Sequence, residues 1–212
     1  MQILLSGGGE SKDVIALDNF FVSKIILQKP ILYIPVALEG DPTYTGCYSW
    51  FKETYSNYGI ENFEMCSNLG LVSNLDRFSA IFIGGGNTFK LLKEIKENRF
   101  DEQLMDYLNG GGFVYGGSAG AIIFGKTIKS AKYADDNNVG LSDLSGFNLV
   151  GGNDIFCHYS IKDNEFIANY DNDLYILYEE SGIYINCNKI ECIGRPYLNK
   201  IDITKEMGRK LL

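Results

Sequence analysis

The sequence predicts an α/β fold, a three-layer α/β/α sandwich built around a mainly parallel sheet. Two observations support this prediction. Short apolar runs recur through the first half of the chain, and each of them leads into glycine or into a helical pattern. Such continuous hydrophobic runs are typical of parallel strands that helices cover on both faces. The predicted strands are residues 2–5, 31–35, 80–83 and 113–115.

Helical patterns separate these runs. Residues 13–28 carry apolar side chains at helical spacing, residues 48–58 show a weaker version, and residues 87–97 and 101–109 predict two further helices. Three apolar segments close together in the last third of the chain predict a β-meander or hairpin that extends the sheet. These segments are residues 174–178, 182–186 and 189–194.

Length and composition favour one globular domain over residues 1–212. The chain is 45% hydrophobic and 22% charged, which is ordinary for a folded domain, and no linker or repeat divides it. A net charge of −8 argues against nucleic-acid and acidic-membrane partners. The N-terminus has neither a basic leader nor a long apolar stretch, so we expect a cytoplasmic protein.

Cysteine and histidine usage argues against a metal site. Five scattered cysteines include no CxxC pair, and only one histidine is present. We therefore expect reduced thiols, and neither a metal nor an organic cofactor. The apolar face of the C-terminal strands leaves two alternatives open, packing on the chain's own helices or on a second copy in a homodimer.

The segment after the fourth predicted strand resembles a nucleophile elbow. Strand 113–115 runs into Gly116, Gly117, Ser118, Ala119 and Gly120, and then into a helical run. A nucleophile on a sharp strand-to-helix turn needs small neighbours because the backbone is crowded there. Ser118 is thus the candidate nucleophile, and a phosphate-binding glycine turn is the alternative.

A second glycine turn follows the third predicted strand. Gly85 and Gly86 lie in this turn, and their N–H groups, together with that of Ala119, are candidates for stabilising an oxyanion. Asn87 is a further candidate for binding substrate at this turn. Alternatively, Asn87 or Thr88 caps the following helix.

His158 is the sole histidine and therefore the candidate general base. Histidine suits this role because imidazole exchanges its proton near neutral pH, although a lone histidine is often structural. The neighbouring Cys157 should point to the opposite face of a strand, which argues against a reactive thiol.

An acid should orient the imidazole, and four carboxylates are available for this role. Most of them must be solvated surface groups. Glu180 is preferred because the end of a strand is a rigid mount, and Asp136 is its rival. The four candidates are Asp135, Asp136, Glu179 and Glu180.

These segments resemble the peptidase E family, which includes aspartyl dipeptidases and cyanophycinase. The resemblance rests on GGGNTFKLL (84–92), YGGSAGA (115–121) and FCHY (156–159). It implies a class I glutamine amidotransferase-like, flavodoxin-like architecture with serine in place of the nucleophilic cysteine. It also implies that Ser118 is the nucleophile, His158 the base, and Gly85, Gly86 and Ala119 the oxyanion region, and it leaves Glu180 and Asp136 both open as the acid.

The predicted function is a serine peptidase that hydrolyses small peptides through an acyl-enzyme. The family's aspartyl dipeptidases are expected to recognise an acidic side chain with an arginine after the histidine, but here Lys162 is the only cation in that segment. Preference for an N-terminal aspartate is therefore not implied. The alternative is a non-catalytic binding or sensor protein, which a wide separation of Ser118 and His158 would favour.

Overall fold

A computed structural model describes residues 1–9, 12–38, 44–187, 189–194, 203–204 and 210–211 of the chain. The strands are β1 (Gln2–Ser6), β2 (Ile31–Ile34), β3 (Phe63–Met65), β4 (Ala80–Ile83), β5 (Phe113–Gly117), β6 (Asp154–Phe156), β7 (Leu174–Ile176), β8 (Ser181–Asn186), β9 (Lys189–Gly194), β10 (Ile203–Thr204) and β11 (Lys210–Leu211). The α-helices are α1 (Ile15–Lys24), α2 (Tyr44–Ser56), α3 (Thr88–Glu97), α4 (Phe100–Asn109), α5 (Ala119–Ile122) and α6 (Asn164–Ala168). Short 3₁₀ helices occupy Leu69–Leu71, Leu75–Arg77, Lys129–Tyr133 and Ile161–Asp163.

The central sheet has seven strands in the order β3-β2-β4-β5-β1-β8-β9. The first five of these strands are parallel, and β8 and β9 add an antiparallel hairpin beside β1. Parallel neighbours require crossover connections, which the helices supply. The predicted α/β class with a mainly parallel sheet is confirmed.

Alternate residues of each strand enter two separate hydrophobic cores. Ile3, Ile81 and Val114 pack on the side of α3, α4 and α5. Their strand neighbours Leu4 and Phe82 pack on the other side, against α1 and α2. Because strand side chains alternate between faces, apolar residues at every position are needed to build both cores.

The C-terminal strands differ in part from the prediction. Segments 182–186 and 189–194 form the expected hairpin β8–β9, whose connection includes Asn188, which lies outside the described residues. Segment 174–178 does not join it. Its strand, β7, pairs in parallel with β6 in a separate two-stranded sheet, where Leu174 and Ile176 pack against Phe156. The short strands β3 and β6 were not predicted.

The sequence also led to expectations about membrane spans, disulfides and the number of domains. In the ranges that the structure covers, no helix is long and apolar enough to cross a bilayer. The five cysteines all lie in those ranges and form no disulfide. The assignment of residues 1–212 to one domain stays a prediction.

Helix α1 carries a buried carboxylate into the core on its side of the sheet. Asp18 is 1% exposed, and the Tyr55 hydroxyl of α2 donates a 2.8 Å hydrogen bond to its Oδ1. Burial raises the pKa of Asp18 from 3.8 to about 6, and the Tyr55 hydrogen bond opposes this shift in part. The folded chain therefore binds this proton more tightly than the unfolded chain does.

We predict that Asp18→Asn stabilises the protein above pH 6 and has little effect near pH 4. The stability linked to this proton is lost as pH rises from about 4 to about 6, since the unfolded chain releases the proton first. The expected gain at pH 8 is about 1 to 3 kcal/mol in the free energy of unfolding, measured by urea denaturation. The exposed Asp106→Asn is the control, and an equal effect of Asp18→Asn at both pH values would contradict the prediction.

Candidate active site

The carboxyl ends of three adjacent parallel strands, β4, β5 and β1, converge at one edge of the sheet. Each strand leads into a glycine-rich segment: residues 84–86 follow β4, residues 116–120 comprise the end of β5 and the turn at Ser118, and residues 7–9 follow β1. This is the edge where open parallel sheets bind ligands. All side chains described below lie around these three loops.

Ser118 lies on the predicted sharp turn between β5 and α5. Its backbone has φ 53° and ψ −114°, which is strained for a residue other than glycine. A Cβ atom at Gly116 would lie 2.2 Å from the carbonyl oxygen of Gly120, and one at Gly120 would lie 2.3 Å from that of Ile83. Only glycine fits at these two positions, so the turn depends on the glycines that flank Ser118.

A continuous line of hydrogen bonds joins Ser118, His158 and Glu179. Ser118 Oγ lies 2.7 Å from His158 Nε2, and His158 Nδ1 lies 3.0 Å from Glu179 Oε1. The main chain of His158 is fixed as well, because its backbone N–H donates to the Gly7 carbonyl oxygen at 3.0 Å. A wide separation of Ser118 and His158 would favour the sensor interpretation. The observed separation of 2.7 Å favours the hydrolase interpretation instead.

The carboxylate at His158 Nδ1 is neither of the two acids that the sequence favoured. Strand β7 ends at Ile176, so Glu179 lies in a turn closed by the Ser181 N–H bond to the Tyr178 carbonyl oxygen. The argument for Glu180 assumed that the strand continued to that position. Asp136 has an exposed side chain, and its main-chain oxygen accepts a hydrogen bond from Asn87.

The predicted oxyanion residues come from two segments: Gly85 and Gly86 from the turn after β4, and Ala119 from the start of α5. A Cβ atom at Gly85 would lie 3.2 Å from Ser118 Cβ and 3.6 Å from Ser118 Oγ, so the Gly85 backbone closely approaches the hydroxyl. Ala119 begins α5, where backbone N–H groups have no partner within the helix. Gly86 adopts φ +132° and packs against the Ala37 carbonyl oxygen.

The side-chain contacts of Asn87 are structural, and its role in binding substrate stays a prediction. Its Oδ1 accepts from Lys90 N at 2.9 Å, which caps α3, and its Nδ2 donates to the Asp136 carbonyl oxygen at 2.8 Å. The capping alternative considered for this residue therefore describes its observed contacts. The side chain is 8% exposed and ties α3 to the loop after α5.

The sequence argument missed the glycine loop after β1. A Cβ atom at Gly8, which has φ +92°, would lie 2.2 Å from His158 Cε1, and one at Gly7 would lie 2.1 Å from the Tyr178 carbonyl oxygen. This loop therefore packs directly against the imidazole and against the turn that carries Glu179. The signal was present, because three consecutive glycines follow an apolar strand here as they do at Gly84–86.

Cys157 is not suited to act as a nucleophile. It is 7% exposed, and its thiol donates to the carbonyl oxygens of Ser6 and Ser118, each at 3.7 Å. Burial raises the pKa of the Cys157 thiol well above its ordinary value. In the described ranges, no group of three or more His, Cys, Asp or Glu side chains could hold a metal ion.

Two cavities open beside Ser118 and His158. The larger, of about 630 Å³, lies on the side of α1 and α2 and is lined by Asp18 and several aromatic rings. The smaller, of about 320 Å³, lies on the side of α5 and the segment after His158, and Lys162 and Asp135 are among its lining residues. The two cavities therefore differ in size, and of the two only the smaller has a lysine among its described lining residues.

A strained serine, hydrogen-bonded through a histidine to a glutamate at the carboxyl edge of a parallel sheet, is the arrangement of an α/β serine hydrolase. Residues 3–191 match Peptidase family S51, and the chain belongs to that family. The resemblance drawn from the sequence motifs is thereby confirmed.

Several relatives were found by sequence. Over 115 residues the chain is 31% identical to Peptidase E of Salmonella arizonae. This alignment covers 49% of this chain and 48% of the relative. Over 145 residues it is 29% identical to an uncharacterized peptidase of Listeria monocytogenes, covering 66% and 70% of the two chains. The match thus spans about half the length of the Salmonella protein.

Solved structures share the fold. A candidate Peptidase E protein from Listeria monocytogenes EGD-e matches with a TM-score of 0.75 at 23% identity, over 92% of this chain and 98% of the other. A peptidase from an acI-B1 Actinobacterium matches with a TM-score of 0.61 at 17% identity, over 92% and 87%. At these identities the likeness concerns the fold alone.

We predict that Gly8→Ala displaces the His158 imidazole, because the added methyl group would overlap its Cε1 atom. Labelling of Ser118 by a fluorophosphonate should slow at least tenfold, an order-of-magnitude expectation for a displaced base. Gly152→Ala is the matched control, because Gly152 also has positive φ (+85°) but its added Cβ meets no atom within 4 Å. Equal labelling rates in the two folded variants would contradict the prediction.

Proposed function

We propose that this chain is a serine-type peptidase that hydrolyses small peptides through Ser118, His158 and Glu179. The observation that carries the proposal is the hydrogen-bond line from Ser118 Oγ through the imidazole to Glu179 Oε1, with separations of 2.7 and 3.0 Å. Membership of Peptidase family S51 supports the same reaction class. Small peptides are the proposed substrates because the cavities beside Ser118 are of ligand size.

In the acylation step, His158 Nε2 takes the proton of Ser118 Oγ as the oxygen attacks the peptide carbonyl carbon. The negative charge moves to the carbonyl oxygen, and the N–H groups of Gly85 and Ala119 are its proposed donors. The imidazolium then gives its proton to the leaving nitrogen as the C–N bond breaks. Glu179 keeps the Nδ1 proton in place and stabilises the imidazolium.

Deacylation repeats these steps with water as the nucleophile. His158 takes a proton from water, hydroxide adds to the ester carbonyl, and the proton returns to Ser118 Oγ as the acid product leaves. These steps use side chains and backbone groups of this chain alone. The half-exposed His158 and Glu179 side chains leave the imidazole accessible to water on one side.

We predict that Ser118→Ala and His158→Ala abolish hydrolysis, and that Glu179→Gln lowers kcat by about 10² to 10⁴. Glutamine retains the shape of Glu179 but loses the charge that stabilises the imidazolium. The measurement is steady-state hydrolysis of a dipeptide panel, with thermal unfolding to establish that each variant folds. Failure of the wild type to cleave any peptide, together with no fluorophosphonate labelling of Ser118, would favour the binding-protein alternative.

Two matched controls test the choice of the acid. Asp136→Asn and Glu180→Gln make the same neutralising change at the two positions that the sequence favoured. Both should retain kcat within about threefold of the wild type, in the range expected away from the reacting groups. A large loss of kcat in a folded Glu180→Gln or Asp136→Asn protein, with Glu179→Gln active, would assign the role to that residue instead.

A further inference from the structure

We infer that the larger cavity beside Ser118 is a specificity pocket for an aromatic side chain of the substrate, and that it disfavours an acidic side chain. The inference rests on the proposed peptidase function, whose substrate class it narrows. It concerns the cavity of about 630 Å³ between the sheet, α1 and α2, which reaches Ser118 and His158. We call it the aromatic pocket, after the rings of Tyr33, Trp50, Tyr55, Phe82 and Tyr115 among its lining residues.

The floor of the aromatic pocket is a row of rings on neighbouring strands. Tyr33, Phe82 and Tyr115 are paired in register across β2, β4 and β5. The rings of Phe82 and Tyr115 stack at 4.4 Å between centroids, and Tyr33 meets Phe82 edge to face at 5.6 Å. A further aromatic ring can pack on such an array in offset-stacked or edge-to-face geometry.

The outer wall of the aromatic pocket is Trp50, the only tryptophan of the chain. Its ring lies 6.0 Å from that of Tyr33 and 6.2 Å from that of Phe82, and 42% of the residue is exposed. A guest side chain inserted beside Trp50 would cover apolar surface that now faces solvent. Burial of that surface favours binding in proportion to its area.

The charge of the aromatic pocket opposes an acidic guest. Its described lining residues include no lysine or arginine, and Asp18 is their single carboxylate. A substrate carboxylate would therefore lose its hydration with no cation among these residues to replace it. Lys162, by contrast, lines the smaller cavity.

A cationic side chain is the competing guest, since rings and a carboxylate both attract cations. Two observations make it the weaker candidate. Asp18 Oδ1 already accepts a hydrogen bond from Tyr55 at 2.8 Å, and burial raises the Asp18 pKa to about 6. Asp18 is thus less available as an ion-pair partner than an unengaged surface carboxylate would be.

The test compares two dipeptide series, X-Ala and Ala-X, in which X is Phe, Asp, Lys or Ala. Each series varies the residue on one side of the cleaved bond only, so a preference can be assigned to the cavity that holds that residue. In one of the two series, kcat/KM for Phe should exceed that for Asp, Lys and Ala by about tenfold or more, a typical discrimination by an apolar pocket. If Asp or Lys is preferred in both series, or if Phe gains nothing over Ala in either, the inference is wrong.

Two variants locate the effect at the pocket wall. Trp50→Ala should lower kcat/KM for the preferred Phe peptide about tenfold while leaving the Ala peptide within about threefold, since only the ring contact is lost. Tyr48→Ala is the matched control: Tyr48 lies on the same helix, is 43% exposed, and packs on Phe63 at 4.8 Å, away from the pocket. Equal losses for both peptides in Trp50→Ala would overturn the inference.

Peptide binding to the inactive Ser118→Ala protein is a second, independent test of the aromatic pocket. Trp50 is the only tryptophan, so its fluorescence in the Ser118→Ala protein reports occupation of the aromatic pocket. The same Phe, Asp and Lys peptides are titrated, and only the Phe peptides should change the emission at low millimolar concentration. If the wild type cleaves no peptide but Phe peptides still shift Trp50 emission, the peptidase proposal fails and the pocket assignment stands. If peptides are cleaved but Trp50 does not respond to Phe, the pocket assignment fails and the peptidase proposal stands.

Discussion

The backbone of Ser118 holds a conformation (φ 53°, ψ −114°) that costs a residue other than glycine on the order of 1 to 3 kcal/mol. The contacts around it keep this conformation in place. The Ser118 N–H donates to the Ser6 carbonyl oxygen at 3.1 Å, and the Ser118 carbonyl oxygen accepts from Ala121 N at 2.8 Å. Strand β1 on one side and helix α5 on the other thus fix the peptide units that flank Ser118, and its hydroxyl lies in line with His158 Nε2.

Crowding at the strand ends links the three glycine loops into one structure. Gly120 packs on the Ile83 carbonyl oxygen of β4, Gly85 approaches the Ser118 side chain, and Gly8 packs on the His158 ring. At Gly120 and Gly8 the contact is closer than a Cβ atom would allow, and at Gly85 a Cβ atom would be crowded at 3.2 Å from Ser118 Cβ. The loops therefore meet closely because these side chains are absent. His158 is positioned by the loop after β1, because Gly7 also accepts the hydrogen bond from the His158 backbone.

The sequence predicts those parts of the molecule that have a strong local signal. Strands β1, β2, β4 and β5 are continuous apolar runs, whereas β3 and β6 have three residues each, too few for periodicity to reveal. The apolar segment 174–178 does predict β7, but it does not predict that β7 pairs with β6. The sequence could not show which glutamate contacts His158, because Glu179 and Glu180 are adjacent. Which of the two reaches His158 depends on the turn between Tyr178 and Ser181, and that turn is fixed by contacts with the distant loop at Gly7.

The loops around Ser118 and the floor of the aromatic pocket lie on the same strands, so a substitution in one of them affects the other. Phe82 lies two residues before Gly84, and Tyr115 lies three residues before Ser118, so the floor of the aromatic pocket and the loops of the site are parts of the same short segments. Replacing a floor ring would alter core packing directly beneath the strained turn, where small shifts matter for catalysis. Trp50 is different, because it lies on α2 and reaches the pocket from outside the sheet. Substrate preference can therefore change most readily at this helix, because a substitution there does not disturb the strand ends that position Ser118.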